Sequence, residues 1–141
     1  MLKIVCIAII LTAGTALSAD TIPDKVRLQN QNVVKKAAEG MNENLPQKVD
    51  PYTSLVKIEP KGERLIYIYE LDVKGKSDDQ LTKEGKVRMK APVIRGICTS
   101  SRRFLDSGID ITYIYTSAKS KKKLFQFDVS KKDCHENFAE K

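Results

Sequence analysis

The residues of this chain best equipped for chemistry are three cysteines, one histidine and a cluster of lysines, and their spacing limits what they can do. Cys6, Cys98 and Cys134 are widely separated, so there is no Cys-x-x-Cys pair for dithiol exchange. Three or four ligands in a zinc-like spacing are also missing, so no metal site is expected. His135 follows Cys134 in a polar tail without gathered partners and reads as a solvated side chain rather than a general base. Asp78 and Asp79 sit where a helix would begin and complement its dipole, while Asp128 lies on the polar side of a strand. These residues supply no nucleophile with a base and no paired acid and base, so the chain reads as a non-enzyme without a cofactor.

The cysteines acquire meaning from the N-terminus. Residues 1–19 have the pattern of a secretory leader: Lys3 as the positive end, an apolar centre from Ile4 to Thr12, and Leu17-Ser18-Ala19 as a small-residue cleavage site before Asp20. The apolar run is shorter than the roughly 20 residues needed to cross a bilayer. Cleavage would remove Cys6 and leave Cys98 and Cys134 in an oxidising compartment, where a single disulfide is the expected state. The expected organisation is therefore a leader over 1–19 and one exported domain over 20–141, located in the periplasm. About 120 residues suffice for one core and not for two. No later stretch is apolar enough to span a membrane.

The formal charge of the 141 residues is +7, and it falls by one with the loss of Lys3. Lys119, Lys121, Lys122 and Lys123 crowd one turn, and Arg102 and Arg103 precede them on a helical segment. If these surfaces converge they can hold phosphate, acidic lipid, polysaccharide or an acidic protein; otherwise they form solvated loops that discourage strand pairing. Export argues against nucleic acid as the partner. Tyr67 and Tyr69 on one strand, and Tyr113 and Tyr115 on another, can stack across neighbouring strands in the core or form an oligomer or partner contact.

These groups must be positioned by a small set of elements. Asp20 to Met41 has helical periodicity, with Val26, Val33, Val34, Ala37, Ala38 and Met41 as its apolar stripe, Thr21 as a cap and Pro23 in the first turn. A connector from Leu45 to Tyr52 leads to strands over Tyr52–Glu59 and Arg64–Val73, joined by a turn at Pro60-Lys61-Gly62-Glu63. Ile66 and Ile68 alternate with Leu65, Tyr67, Tyr69 and Leu71, so the second strand is expected to be central and at least partly covered on both sides. Ser77 and Gln80 form a capping box for a helix through Leu81 and Val87 to Lys90. Pro92 should break it near Ala91, with helix resuming toward Cys98 and Ser107 and ending at Gly108 as a left-handed cap. Ile109–Thr116 and Lys123–Ser130 alternate as a final hairpin. The order of helix, strand pair, helix, strand pair predicts a single α+β domain, an antiparallel sheet with helices packed on one face.

The stretch from Met41 to Asp50, Thr53, Leu55, Leu65-Ile66-Tyr67-Ile68-Tyr69, Ile97-Cys98, Phe104-Leu105, Gly108, Tyr113-Ile114-Tyr115 and Asp133-Cys134 together resemble a widespread group of small exported proteobacterial proteins. That resemblance implies a periplasmic α+β domain with one disulfide. The lysine-rich composition is similar to EirA-type periplasmic virulence factors of intracellular pathogens, which implies support of type IV secretion and of replication within host cells. Where relatives carry glycine in the final hairpin turn, this chain has Ser117-Ala118-Lys119-Ser120-Lys121.

The functional expectation is a non-enzymatic envelope interaction protein that supports an assembly, with envelope proteins or a second copy of itself as partner and a peripheral contact with anionic membrane as a further option. The alternative is a small inhibitor or ligand-binding protein, for example against lysozyme-type hydrolases.

Overall fold

The computed structural model describes residues 22–138. The leader and its cleavage site lie outside the described residues, as do Asp20 and the Thr21 cap. Helix α1 (Ile22–Asn42) is followed by strands β1 (Gln47–Asp50), β2 (Thr53–Lys61) and β3 (Arg64–Leu71). Three helices then cross the sheet, α2 (Asp78–Arg88), α3 (Lys90–Ser100) and α4 (Arg102–Asp106), before strands β4 (Asp110–Ser117) and β5 (Lys123–Val129) and helix α5 (Lys131–Phe138). The five strands form one sheet in chain order, so β3 is central as expected.

The α+β class is as the sequence indicates, but the sheet is mixed and not wholly antiparallel. β3 and β4 pair in parallel, with Arg64 opposite Asp110, Tyr67 opposite Tyr113 and Leu71 opposite Ser117. The helical crossover carries the chain back to the start of β3, where the Asp110 N–H donates to the Glu63 carbonyl at 2.9 Å. A connection of this length can make a parallel pair, whereas a hairpin cannot. The other strand pairs are antiparallel. β1 falls within the segment expected as a connector; every one of its residues is exposed, so its sequence lacks the alternation that marks a half-buried strand.

Leu65, Tyr67, Tyr69 and Leu71 of β3 join Ile111, Tyr115, Phe125, Phe127 and Val129 in a core closed by Val34 and Ala38 of α1 and Ile94 and Ile97 of α3. The helices therefore gather on one face of the sheet. On the opposite face Ile66, Ile68 and Ile114 are half-buried. Arg64 ties three strands together there, donating to Thr112 Oγ1 and Asp128 Oδ1 at 2.9 Å each and to Asp110 Oδ2 at 3.1 Å.

Local rules account for the element ends. Ser77 and Gln80 form the reciprocal capping box of α2. Gly108 takes φ +84° and closes α4. The break between α2 and α3 falls at Met89, ahead of Pro92, because proline fits the first turn of the next helix, where its missing N–H has no intrahelical role. A second break at Ser101 separates α4, so the helical middle is interrupted twice and not once. In α1 the inward stripe is Asn30, Val34 and Ala38, whereas Val26 and Val33 are exposed. The tail is α5 and not an irregular segment, which places His135 on a helix.

Candidate functional site

Cys98 of α3 and Cys134 of α5 form a disulfide with their Cα atoms 5.6 Å apart. Its cross-link runs from helix to helix, since α5 begins directly after β5. An open cavity of about 840 Å³ beside it is lined by Cys98, Arg102, Leu105, Asp106, Lys131 and His135. Asp106 pairs with both nearby cations, Arg102 at 3.7 Å and Lys131 at 3.5 Å, which leaves these three groups with one positive charge in excess. Among the described residues no group of three His, Cys, Asp or Glu side chains could hold a metal ion.

The lysine turn and the two arginines do not converge. Arg102 and Arg103 lie on α4 before β4, and the turn from Ala118 to Lys122 follows its far end. The eight residues of β4 hold them apart by about 25 Å. The turn is also braced: Lys121, at φ +61°, bonds Glu70 at 2.9 Å, and Ser120 Oγ donates to Asp78 Oδ2 at 2.6 Å. The Ser120 bond, helped by Ser117, Lys122 and Lys119, lowers the Asp78 carboxyl below its ordinary pKa.

The tyrosines enter the core as a ladder. Tyr113 meets Tyr67 at 5.0 Å and Tyr69 at 4.9 Å between ring centroids, and Tyr115 stacks between Tyr69 at 5.1 Å and Phe125 at 4.9 Å. Parallel pairing of β3 with β4 sets each Tyr-x-Tyr pair beside the other. Tyr115 is 3% exposed, and Tyr113 is partly buried against the same cluster. Burial raises all four phenols, Tyr67 to about 12, with Tyr113 adding to the effect at Tyr67 and Tyr69.

A more apolar concavity than the one beside the disulfide lies in a groove of about 520 Å³ between α2 and the connection from β1 to β2. One wall is the turn Asp50-Pro51-Tyr52. There the Tyr52 N–H donates to Asp50 Oδ1 at 2.8 Å and the Tyr52 carbonyl accepts from Asp72 N–H at 2.8 Å, which lifts the Tyr52 ring outward at 58% exposure. Leu71 and Val73 line the groove from the end of β3, and Leu81, Gly85 and Met89 form the α2 wall at helical spacing. Charge is confined to Asp50, the Lys76–Glu84 ion pair and Arg88. The bond from Lys76 holds the Glu84 carboxyl low.

Gly85 brings α2 close to the sheet. A Cβ at this position would lie 2.5 Å from Phe125 Cε1 and 2.6 Å from Cζ. The groove lies apart from the cysteines, lysines and tyrosines that stand out in the sequence. Its traces were Leu81, Gly85 and Met89 spaced by four, and an aromatic directly after Pro51.

Solved structures share the fold at low identity. PA3611, a "putative secreted protein" of Pseudomonas aeruginosa, superposes with a TM-score of 0.67 at 14% identity, over 77% of this chain and 96% of that one. EpsS, the pilotin of the Vibrio vulnificus type 2 secretion system, gives 0.64 at 14% identity over 78% and 96% of the two chains. AspS, the type II secretion system pilotin of Vibrio cholerae, gives 0.61 at 13% identity over the same shares. No curated protein matches the sequence. The residues from Gln29 in α1 to Phe125 in β5, which include both walls of the groove, match one family along their whole length, and the chain belongs to that family, described as a domain of unknown function, DUF8479.

Proposed function

We propose that this protein is a non-enzymatic interaction protein of the bacterial envelope, which supports a secretion-type assembly by holding an apolar segment of a partner protein in the groove between α2 and the Asp50-Pro51-Tyr52 turn. The groove carries the reading. Exposed Tyr52 faces a wall of Leu81, Gly85 and Met89, and the charged groups stay at the edge, as at sites that bind apolar side chains and orient them with a few polar contacts. Two proteins of the same fold are pilotins of type II secretion systems, which supports secretion assembly as the setting. The similarity to EirA-type factors adds type IV secretion in an intracellular pathogen as the finer version. The leader pattern supports periplasmic residence as part of this reading, and no helix among the described residues is long and apolar enough to cross a membrane.

The test places a photo-crosslinking side chain at Tyr52 in the cell-expressed protein. Expected is capture of a defined envelope protein, lost when Met89→Glu puts charge into the groove and absent when the crosslinker is at Lys119. Equal labelling from both positions, or capture that survives Met89→Glu, would refute the groove as the docking site. Inhibition of lysozyme at stoichiometric protein would favour the inhibitor alternative.

A further inference from the structure

From Lys83 to Leu105 the chain carries seven cationic side chains and one carboxylate, Glu84, which is already bonded to Lys76. The fold sorts these cations outward. In α2 the inward positions are Leu81, Gly85 and Met89, so Lys83, Lys86 and Val87, spaced i, i+3 and i+4, share the opposite side, whereas Lys90, the first residue of α3, stands on the side of Ile94 toward the β5 edge. In α3 the inward positions are Ile94 and Ile97, which leaves Pro92, Arg95 and Thr99 outside, and Arg103 of α4 is exposed beyond them. The inward residues of α2 and α3 meet the same sheet face, so their outer sides both look away from the sheet. Lys83, Lys86, Lys90, Arg95 and Arg103 form no ion pair among the described residues. Asp128, Asp133 and Glu136 share a cavity with Lys86 and Lys90 at the β5 edge, outside ion-pair distance.

Within this basic surface Val87 is 79% exposed, and Ala91 and Pro92 are exposed beside it. We infer that the outer face of α2 and α3 docks on the surface of a bilayer containing anionic phospholipid. Its lysines and arginines meet the phosphate headgroups, and Val87 with Ala91 and Pro92 reaches the boundary with the acyl chains. An apolar tip ringed by unpaired cations matches a surface that is anionic outside and apolar beneath. A soluble acidic partner would satisfy the cations and leave Val87 without a complement. The face is separate from the groove, so a peripheral protein could contact membrane and partner together.

The experiment measures co-sedimentation of the chain from Asp20, which carries every described element, with phosphatidylcholine vesicles with or without phosphatidylglycerol. Binding is expected only with phosphatidylglycerol, and it should weaken steeply as salt is raised. Each cation at the surface contributes about fivefold, so Lys83→Gln, Lys86→Gln and Arg95→Gln together should weaken binding about a hundredfold. Val87→Ser should weaken it severalfold without changing the salt dependence. Lys48→Gln, Lys57→Gln and Lys61→Gln together remove the same charge from β1 and β2, on the far side of the sheet from β5, and should have little effect. Circular dichroism confirms that each exposed-site variant keeps its fold. Three results would overturn the inference: no binding to phosphatidylglycerol vesicles, equal losses from the two triple variants, or capture by polyglutamate in place of vesicles.

Discussion

Gly85→Ala sets two rules against each other, and the structure decides the sign. Position 85 is in the body of α2, where alanine is favoured over glycine by about 0.8–1.0 kcal/mol through helix propensity. The added methyl, however, would meet Phe125 at 2.5 and 2.6 Å, well inside van der Waals contact. Phe125 is 4% exposed, and its ring stacks on Tyr115 at 4.9 Å and lies 5.5 Å from Phe127, so it cannot swing away without disturbing the ladder. Overpacking at such a site costs about 1–3 kcal/mol, and the rigidity of the ring favours the upper half of that range. The sum is a net loss of about 1–2 kcal/mol, or about 4 to 8 °C in melting temperature for a domain of this size. Gly96→Ala is the internal control: it lies within α3, a Cβ there meets nothing within 4 Å, and it should stabilise by up to about 1 kcal/mol. Urea unfolding of both variants, with Phe125→Leu combined with Gly85→Ala as a third, measures the signs and the coupling. If Gly85→Ala is as stabilising as Gly96→Ala, α2 does not sit against Phe125 and the groove wall is drawn wrongly.

Replacing Cys98 and Cys134 by serine opens a link between residues 36 apart, for which chain entropy gives a loss of about 4 kcal/mol; hydrogen exchange should show the first loss of protection in α5. Asn42 Nδ2 donates to the Ile58 carbonyl at 2.7 Å and its Oδ1 accepts from the Ile58 N–H at 2.9 Å. Asn42→Asp keeps the acceptor, removes the donor and sets a charge against a carbonyl, so a loss of about 1–3 kcal/mol is expected in urea unfolding. The raised phenol pKa of Tyr67 favours the neutral ring in the folded state. Its contribution is complete below pH 10.0 and is lost as pH climbs toward about 12, so melting temperature should fall across that window, more steeply than for Tyr67→Phe.

The legible parts of the fold are those where one local rule acts alone. The Ser77 and Gln80 capping box, the Gly108 cap and the alternation of Leu65, Tyr67, Tyr69 and Leu71 were visible because each depends on residues a few positions apart. The parallel union of β3 with β4 was not, because periodicity defines a strand and its inward face but carries no information about the direction of its neighbour. β1 stayed hidden because full exposure removes the alternation, and the Met89 break because Pro92 is compatible with the helix it begins. The disulfide pairing was legible by count once Cys6 was assigned to the leader. For the candidate site, the lysines at 119–123 stand out because they are adjacent in sequence, whereas the cations of the helical layer are spread at helical spacing through α2 and α3.

The groove and the basic face have a common origin in the parallel crossover. A hairpin between β3 and β4 would need only a turn, whereas parallel pairing requires a connection that returns the chain the length of the sheet, supplied here by α2, α3 and α4. A helical layer anchored through few inward residues, Leu81, Ile94, Ile97 and Leu105 among them, leaves most of its side chains free to differ without cost to the core. Selection for partner or membrane contact can act on those positions while the tyrosine ladder and the Arg64 network hold the sheet. The same logic explains why Gly85 matters: it is where the adaptable layer touches the rigid one, and its missing side chain sets the separation of α2 from β5 and thereby the position of the groove's α2 wall.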